Sequence, residues 1–340
     1  MEGSRLRGLL SNLLVQQWRS RAHGVDSLMP EGAGLSVDPA RTPITCYAQI
    51  CQNFCVGNTA RSGAVSNRGE NGIMRDGSSR PLAVVTGASS GIGFELAKQF
   101  AQNGFDLLIV SQSERITEAA RSLESLGANI ETVQADLADY DGVEQLYETI
   151  RSSGRSVDSI AINAGVGVGG DFARDTELES ELNLIRLNVT SPVHLTKRVV
   201  KDMLQQGHGR ILFTSSIAGT MPAPFEAVYG ASKAFLTSFA QAIRNELNDT
   251  GVTVTALMPG ATETDFFHRA GLDDTKLGVS EKDDPAEVAR EGFEALMAGK
   301  DHVVAGSFKN KLQAAAGHMM PDTTVAQFHR KQSEPGSANK

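Results

Sequence analysis

Short apolar runs recur along residues 81–340, each separated from the next by enough chain for a helix. Leu82–Thr86, Asp106–Val110, Ile130–Gln134, Ser159–Asn163, Arg210–Thr214, Thr253–Met258 and His302–Ala305 are rich in aliphatic and β-branched residues and read as strands. The stretches between them have the length and pattern of helices, beginning with Phe94–Asn103. Alternating strands and helices predict βαβ units with right-handed crossovers. The expected fold class is α/β, a single doubly wound parallel sheet with helices on both faces. In such sheets ligands bind beyond the carboxyl ends of the strands, at the switch in strand order.

Three regions depart from this rhythm. In residues 1–80, Gly, Ser, Asn and Arg interrupt every apolar run, which predicts a disordered extension. Residues Ala261–Lys282 form a long connection after the sixth strand, a candidate lid. Ser333–Lys340 is polar and rich in small residues, and is expected to be disordered. The expected organisation is therefore an extension over 1–80, a single α/β domain over 81–320 and a C-terminal tail over 321–340.

Charge sharpens this division. Residues 1–80 hold nine Arg, no Lys and six acidic side chains, a net of +3 in a chain of −8, which leaves −11 for residues 81–340. An acidic body argues against nucleic acid as a partner, because phosphate binding needs a basic face. No run approaches the ~20 apolar residues of a membrane span. All three cysteines, Cys46, Cys51 and Cys55, precede residue 81, so the body has no disulfide framework; this fits a reducing compartment, and a cytoplasmic location is expected. Three cysteines without a fourth ligand at the usual spacing do not define a metal site, and none is expected. The Arg- and Leu-rich start, with no acid between Glu2 and Asp26, loosely resembles an organelle transit peptide; an unstructured extension or a distant start codon ahead of Met74 is the simpler reading.

The first candidate site follows the first strand. Thr86-Gly87-Ala88-Ser89-Ser90-Gly91-Ile92-Gly93 leads directly into a helix. Gly87 permits a tight turn, Gly91 lets the backbone approach a pyrophosphate, and Gly93 lets helix pack on strand. The helix N-terminus adds unpaired N–H groups and partial positive charge. A glycine-rich turn without a ligand is the alternative, disfavoured by its place at the head of a βαβ series.

This Thr-Gly-x3-Gly-x-Gly segment resembles that of the short-chain dehydrogenase/reductase family, and the likeness extends over roughly residues 81–320. It implies a Rossmann fold, a nicotinamide dinucleotide cofactor bound in part by Ser89, Ser90 and Ile92, and an oxidoreductase acting on a carbonyl or alcohol. Asp136-Leu137 matches the family's contact to the adenine ring. Asn163-Ala164-Gly165 matches its Asn-Ala-Gly segment, with Ile162 where the family usually has a first Asn. Pro259-Gly260-Ala261-Thr262-Glu263-Thr264 resembles the stretch that holds the nicotinamide carboxamide. A small-molecule substrate and a homodimer or homotetramer are implied as well.

The choice between NAD and NADP turns on the end of the second strand. NAD-preferring relatives carry an acid where this chain has Ser111, and NADP-preferring ones carry Arg where it has Gln112. With no carboxylate at either position a 2′-phosphate is admitted, and Ser111, Ser113 and Arg115 are available to it. NADP is favoured, with NAD as the alternative.

The catalytic candidates are Tyr229 and Lys233, in Tyr229-Gly230-Ala231-Ser232-Lys233 at the start of a helix running to about Leu247. Residues four apart share a helix face. An ammonium beside a phenol favours the phenolate, which suits proton exchange with an alcohol oxygen. Ser216, thirteen residues before Tyr229, ends the fifth strand and is placed to donate to a developing alkoxide. By resemblance Ser216 rather than Ser215 is the catalytic serine and Lys233 also binds the nicotinamide ribose. Asn188, by the same resemblance, is the helix-kink residue whose carbonyl holds a water leading from the lysine to solvent.

On the substrate side, Met221, Pro222, Pro224 and Phe225 after Ser216, with Phe266, Phe267, His268 and Leu272 in the lid, predict an apolar pocket wall. Arg269 and Lys276 read as surface charges. The alternatives are a catalytically idle NADP-binding sensor, which would have no need of the proton relay, and a sugar-nucleotide epimerase or dehydratase, whose glycine spacing and larger C-terminal domain differ.

Overall fold

In a computed structural model the described residues are 80–339; the expectations for residues 1–79 fall outside them. Seven strands form one parallel sheet in the order β3-β2-β1-β4-β5-β6-β7. They are β1 (Leu82–Thr86), β2 (Asp106–Ser111), β3 (Ile130–Gln134), β4 (Val157–Ile162), β5 (Gly209–Thr214), β6 (Val252–Pro259) and β7 (His302–Ala305). The expected strands are all present. β4 begins two residues earlier than its apolar run and leaves Asn163 just beyond its end. Order reverses between β1 and β4, so the switch point lies where Thr86 and Asn163 meet.

Central strands are buried on both faces, which is why they read as continuous apolar runs rather than as an alternation. Along β1 and β2, Val84 and Leu108 point into one core, while Ala83, Val85, Leu107 and Ile109 point into the other. The first core packs beneath α3 (Tyr140–Ser152), α5 (Ser191–Gln206) and α6 (Ala227–Glu246). The second packs beneath α1 (Gly91–Gln102), α2 (Ile116–Glu124) and α9 (Pro285–Met297).

Helix α4 (Leu178–Ile185) runs into α5 through a π-helical segment, Arg186–Thr190, with Asn188 at its centre. Such a segment changes the residue-to-turn ratio locally and often marks a functional position. The lid candidate is ordered. It contains α7 (Phe266–Arg269) and α8 (Lys276–Val279), with Phe267, Ala270 and Leu272 forming a small core of their own. A Thr262–Asp283 bridge closes its base.

The end of the chain corrects one expectation. Beyond α10 (Phe308–Met319) lies α11 (Asp322–Ser333), followed by a 3-10 turn at Ser337–Asn339. Ser333 and Ser337 are buried, in a segment whose composition predicts disorder. The reason is polar pairing. The Lys276 N–H donates to Ser337 Oγ at 2.9 Å, the Gly336 N–H to Asp274 Oδ2 at 2.8 Å, and the Ala338 N–H to the Asp274 carbonyl at 2.9 Å. Apolar content alone does not register such contacts.

Candidate active site

The glycine turn behaves as a cradle. Gly87 has φ +68° and its N–H donates to the Val110 carbonyl at 2.8 Å, while a Cβ there would lie 2.9 Å from the Ala164 Cα. A Cβ on Gly93 would fall on the Gly87 carbonyl oxygen. The Ser90 side chain makes no capping bond to α1. First-turn N–H groups are therefore left to a ligand or solvent.

The cavity above this turn is lined by Gly87, Ser89, Ser90, Gly91, Ile92 and Gly93, by Ser111 and Gln112, by Asp136 and Leu137, by Asn163, Ala164 and Gly165, and by Lys233 and Thr264. These residues come from six separate chain segments, and the sheet's carboxyl edge collects them. Thr86 ties the switch point together: its Oγ1 accepts from the Asn163 and Ala164 N–H groups, both at 2.9 Å, and the Asn163 side chain returns a bond to the Thr86 carbonyl at 3.1 Å. At the adenosine end, Ser111 Oγ donates to Ser89 Oγ at 2.9 Å, and Gln112 Nε2 donates to Asp136 Oδ2 at 2.7 Å. Arg115 instead pairs with Asp265 at 3.2 Å. Arg269, which the sequence suggests is a plain surface charge, is exposed on the rim of this cavity. Only the fold of the lid brings it there.

A second cavity continues from the first. Ile92, Thr214, Lys233 and Thr264 border both, and Ser216, Tyr229, Pro259, Gly260 and Thr262 line the second. Ser215 and Ser216 have separate tasks. Ser215 Oγ turns to the Lys233 carbonyl at 2.8 Å and so fastens β5 to α6, while Ser216 Oγ accepts from the Ala218 N–H at 3.1 Å and reaches the cavity. Lys233 Nζ donates to the Thr214 carbonyl at 2.8 Å and stands 5.6 Å from the centre of the Tyr229 ring. Phe266 of the lid closes on the other side, its ring 5.1 Å from that of Tyr229.

Asn188 borders neither cavity. It is fully buried behind them, where its Oδ1 accepts from the Val166 N–H at 3.0 Å and its Nδ2 donates to the Val166 carbonyl at 2.9 Å and to Ser232 Oγ at 3.2 Å. Ser232 in turn donates to the Tyr229 carbonyl at 2.7 Å. Asn188 thus links the loop following β4 to the helix that carries Tyr229.

Electrostatics differ from the simple Tyr–Lys expectation. Burial raises the Tyr229 phenol above its usual range, the Glu226 carboxylate adds to that rise, and the Ser216 hydroxyl opposes it. Burial pushes the Lys233 ammonium down to about 8. Glu226, which no motif marks, lies three residues before Tyr229 and is itself pushed up to about 7 by burial. A polar residue just before a Tyr-x3-Lys segment carries no signature of its own.

The cavity wall is also divided differently from the expectation. Phe266, Phe267 and Leu277 of the lid line it. Leu272 packs inside the lid's own core, and Met221, Pro222, Pro224 and Phe225 are not among the lining residues. The opposite wall comes from α10 and α11, through Gln313, Phe328, His329 and Gln332.

A glycine cradle at the β1/β4 switch, with a serine, a tyrosine and a lysine beyond β5, is the arrangement of a dinucleotide-dependent oxidoreductase. Residues 81–274 match the family model described as short chain dehydrogenase, more than half of the chain, and this chain belongs to that family. It is 34% identical over 198 residues to the 3-oxoacyl-(acyl-carrier-protein) reductase FabG of Escherichia coli K12, covering 58% of this chain and 80% of that protein. It is also 34% identical over 187 residues to sulfoacetaldehyde reductase 2 of Chromohalobacter salexigens, covering 54% of this chain and 74% of the relative. Among solved structures, a short-chain dehydrogenase from Sphingobium yanoikuyae in complex with NADPH superposes with a TM-score of 0.62 at 31% identity, covering 66% of this chain and 87% of that one. The chain is an NAD(P)-dependent oxidoreductase acting on CH–OH or C=O groups. Among the described residues no helix is long and apolar enough to cross a membrane.

Proposed function

We propose that this protein reduces a ketone or aldehyde, or oxidises the corresponding alcohol, with Tyr229 as the proton-exchanging group and NADP as the preferred cofactor. The observation that carries this reading is the meeting of Ser216, Tyr229 and Lys233 at one cavity wall, continuous with the glycine cradle. The cradle fits the dinucleotide: its glycines leave no room for side chains and its helix N-terminus faces the space. Bound there, the nicotinamide supplies or accepts the hydride.

The chain's own residues do the rest. Ser216 donates to the substrate oxygen and holds it toward Tyr229. Tyr229 gives its phenol proton to that oxygen during reduction and takes it back during oxidation. Lys233, anchored on the Thr214 carbonyl, offers its remaining protons toward the ribose and helps to restore the phenol. Asn188 holds Val166 and Ser232 in place, which positions the strand end and the catalytic helix together. Asp136 and Leu137 would hold the adenine end of the dinucleotide, and Pro259, Gly260, Thr262 and Thr264 would hold its carboxamide.

NADP is supported by the absence of a carboxylate at Ser111 and Gln112 and by Arg269 on the cavity rim, and the superposed Sphingobium relative holds NADPH. A dimer or tetramer is supported by an exposed apolar groove formed by Phe172, Ile185, Val189 and Phe235. A cytoplasmic location is supported by the cysteine-free body. A panel of carbonyl compounds, followed by the loss of NADPH absorbance, tests the activity. Binding of NADPH without turnover of any carbonyl would favour the idle sensor instead.

A further inference from the structure

The wall that the C-terminal helices contribute contains a buried polar pair. Glu226, at the start of α6, is 3% exposed, and His329, on α11, is 5% exposed. Both line the same cavity as Ser216 and Tyr229. His329 Nε2 lies 3.6 Å from Glu226 Oε2, beyond a good hydrogen bond. The same Oε2 accepts from Ser333 Oγ at 3.2 Å. The His329 Nδ1 is buried with no hydrogen-bond partner among the described residues, while burial pushes the imidazole below its usual range and the Pro224 backbone beside it opposes that shift.

Docking of α11 uses Glu226 through its bond to Ser333 but does not explain the His329 imidazole beside it. The helix is already held by the Ser333 bond, by buried Val325 and by the Arg330 guanidinium 4.9 Å above the Phe225 ring. A buried imidazole with an unpaired nitrogen costs stability, and an apolar residue would pack the same helix without that cost. Unpaired polar groups of this kind persist where a ligand completes them.

Building on the assignment of Tyr229 as the proton-exchanging group, we propose that Glu226 and His329 bind a second oxygen function of the substrate, a hydroxyl near the reacting carbonyl. The substrate class is then the neutral hydroxyketones and the diols into which they are reduced. The chemistry selects a hydroxyl over other groups. It both donates and accepts, so it pairs with a carboxyl and an imidazole in any protonation state. A substrate carboxylate or phosphate meets repulsion from Glu226 whenever that group is ionised. A cation requires Glu226 to stay ionised, which its burial opposes. The lid's Phe266, Phe267 and Leu277 face the carbon skeleton.

Matched substrate pairs test this: acetone against hydroxyacetone, and cyclohexanone against its hydroxyl-bearing analogue, with NADPH and the full chain. The wild-type protein is expected to favour the hydroxylated member of each pair in kcat/KM. In Glu226→Leu and His329→Leu that preference falls about ten-fold or more, because the hydroxyl loses its buried partners. NADPH affinity serves as the check that each variant is folded. Equal kcat/KM for the two members in the wild type overturns the inference whatever the variants do. So does a preference that both folded variants retain. If the wild type turns over no carbonyl at all, the proposed function fails rather than this assignment alone.

Discussion

Lys233 Nζ donates a 2.8 Å hydrogen bond to the main-chain carbonyl of Thr214, the last residue of β5. One end of the ammonium is therefore fixed by the sheet, and its other protons face the space shared by the two cavities. Lys233→Met removes this fixed donor. Turnover is expected to fall by about two orders of magnitude or more, with weaker NADPH binding, as measured by steady-state kinetics and fluorescence titration. Wild-type kinetics in Lys233→Met would show that the lysine only fills space.

Tyr229 lies against Phe266 and Lys233 with its phenol in the cavity wall. Tyr229→Phe keeps the ring and removes the exchangeable proton. Turnover should drop about 100- to 10,000-fold while the NADPH dissociation constant changes little. Turnover near the wild-type value would assign the proton exchange to another group.

At Gly93 an added Cβ collides with the Gly87 carbonyl, whereas at Gly104 it meets open space. Gly93→Ala is expected to abolish NADPH binding, because the first turn of α1 must move away from the strand. Gly104 has φ +86°, so Gly104→Ala costs about 1 kcal/mol of stability through backbone strain and leaves binding intact. Isothermal titration and thermal melts of the two variants check this contrast.

Ser111 stands at the end of β2 with its hydroxyl on Ser89. Ser111→Asp places a carboxylate where a 2′-phosphate would lie. The ratio of NADPH to NADH affinity should fall at least about ten-fold, read from the two dissociation constants. An unchanged ratio would move the 2′-phosphate site elsewhere.

Burial raises Glu226 from the ordinary value of 4.5 to about 7 in the folded protein. Between these values the folded state binds more protons than the unfolded chain, so stability is full below about pH 4.5 and declines as pH rises through 7. The decline is at most of order 3 kcal/mol, and Glu226→Gln should remove it. Denaturant unfolding of both proteins from mildly acidic to slightly alkaline pH measures the difference. Parallel pH curves would refute the assignment.

The α/β class was legible because both kinds of period are local. Strands buried on both faces appear as apolar runs such as Leu82–Thr86, and helices appear between them at regular intervals. The cradle was legible because a tight turn and a close approach each require glycine at a set spacing, as Gly87 and Gly93 bear out in their contacts. Tyr229 and Lys233 were legible as a pair because four residues on a helix return to the same face.

Tertiary structure alone decided the rest. Arg269 reaches the cofactor cavity through the path of the lid, and Met221, Pro222, Pro224 and Phe225 do not line the cavity they are expected to line. The wall opposite the lid is built by α10 and α11, some 80–100 residues beyond Tyr229, and α11 falls in the stretch expected to form a C-terminal tail. Composition reports how much apolar surface a segment can bury, whereas the Ser333–Glu226 bond spans 107 positions and depends on where the sheet and its helices carry the two ends. The fold class, the glycine cradle and the Tyr229–Lys233 pair are legible along the chain because each rests on short-range spacing. The polar wall of the substrate cavity and the proton affinities of Glu226 and Tyr229 were set by burial among residues distant in sequence, which only the folded chain brings together.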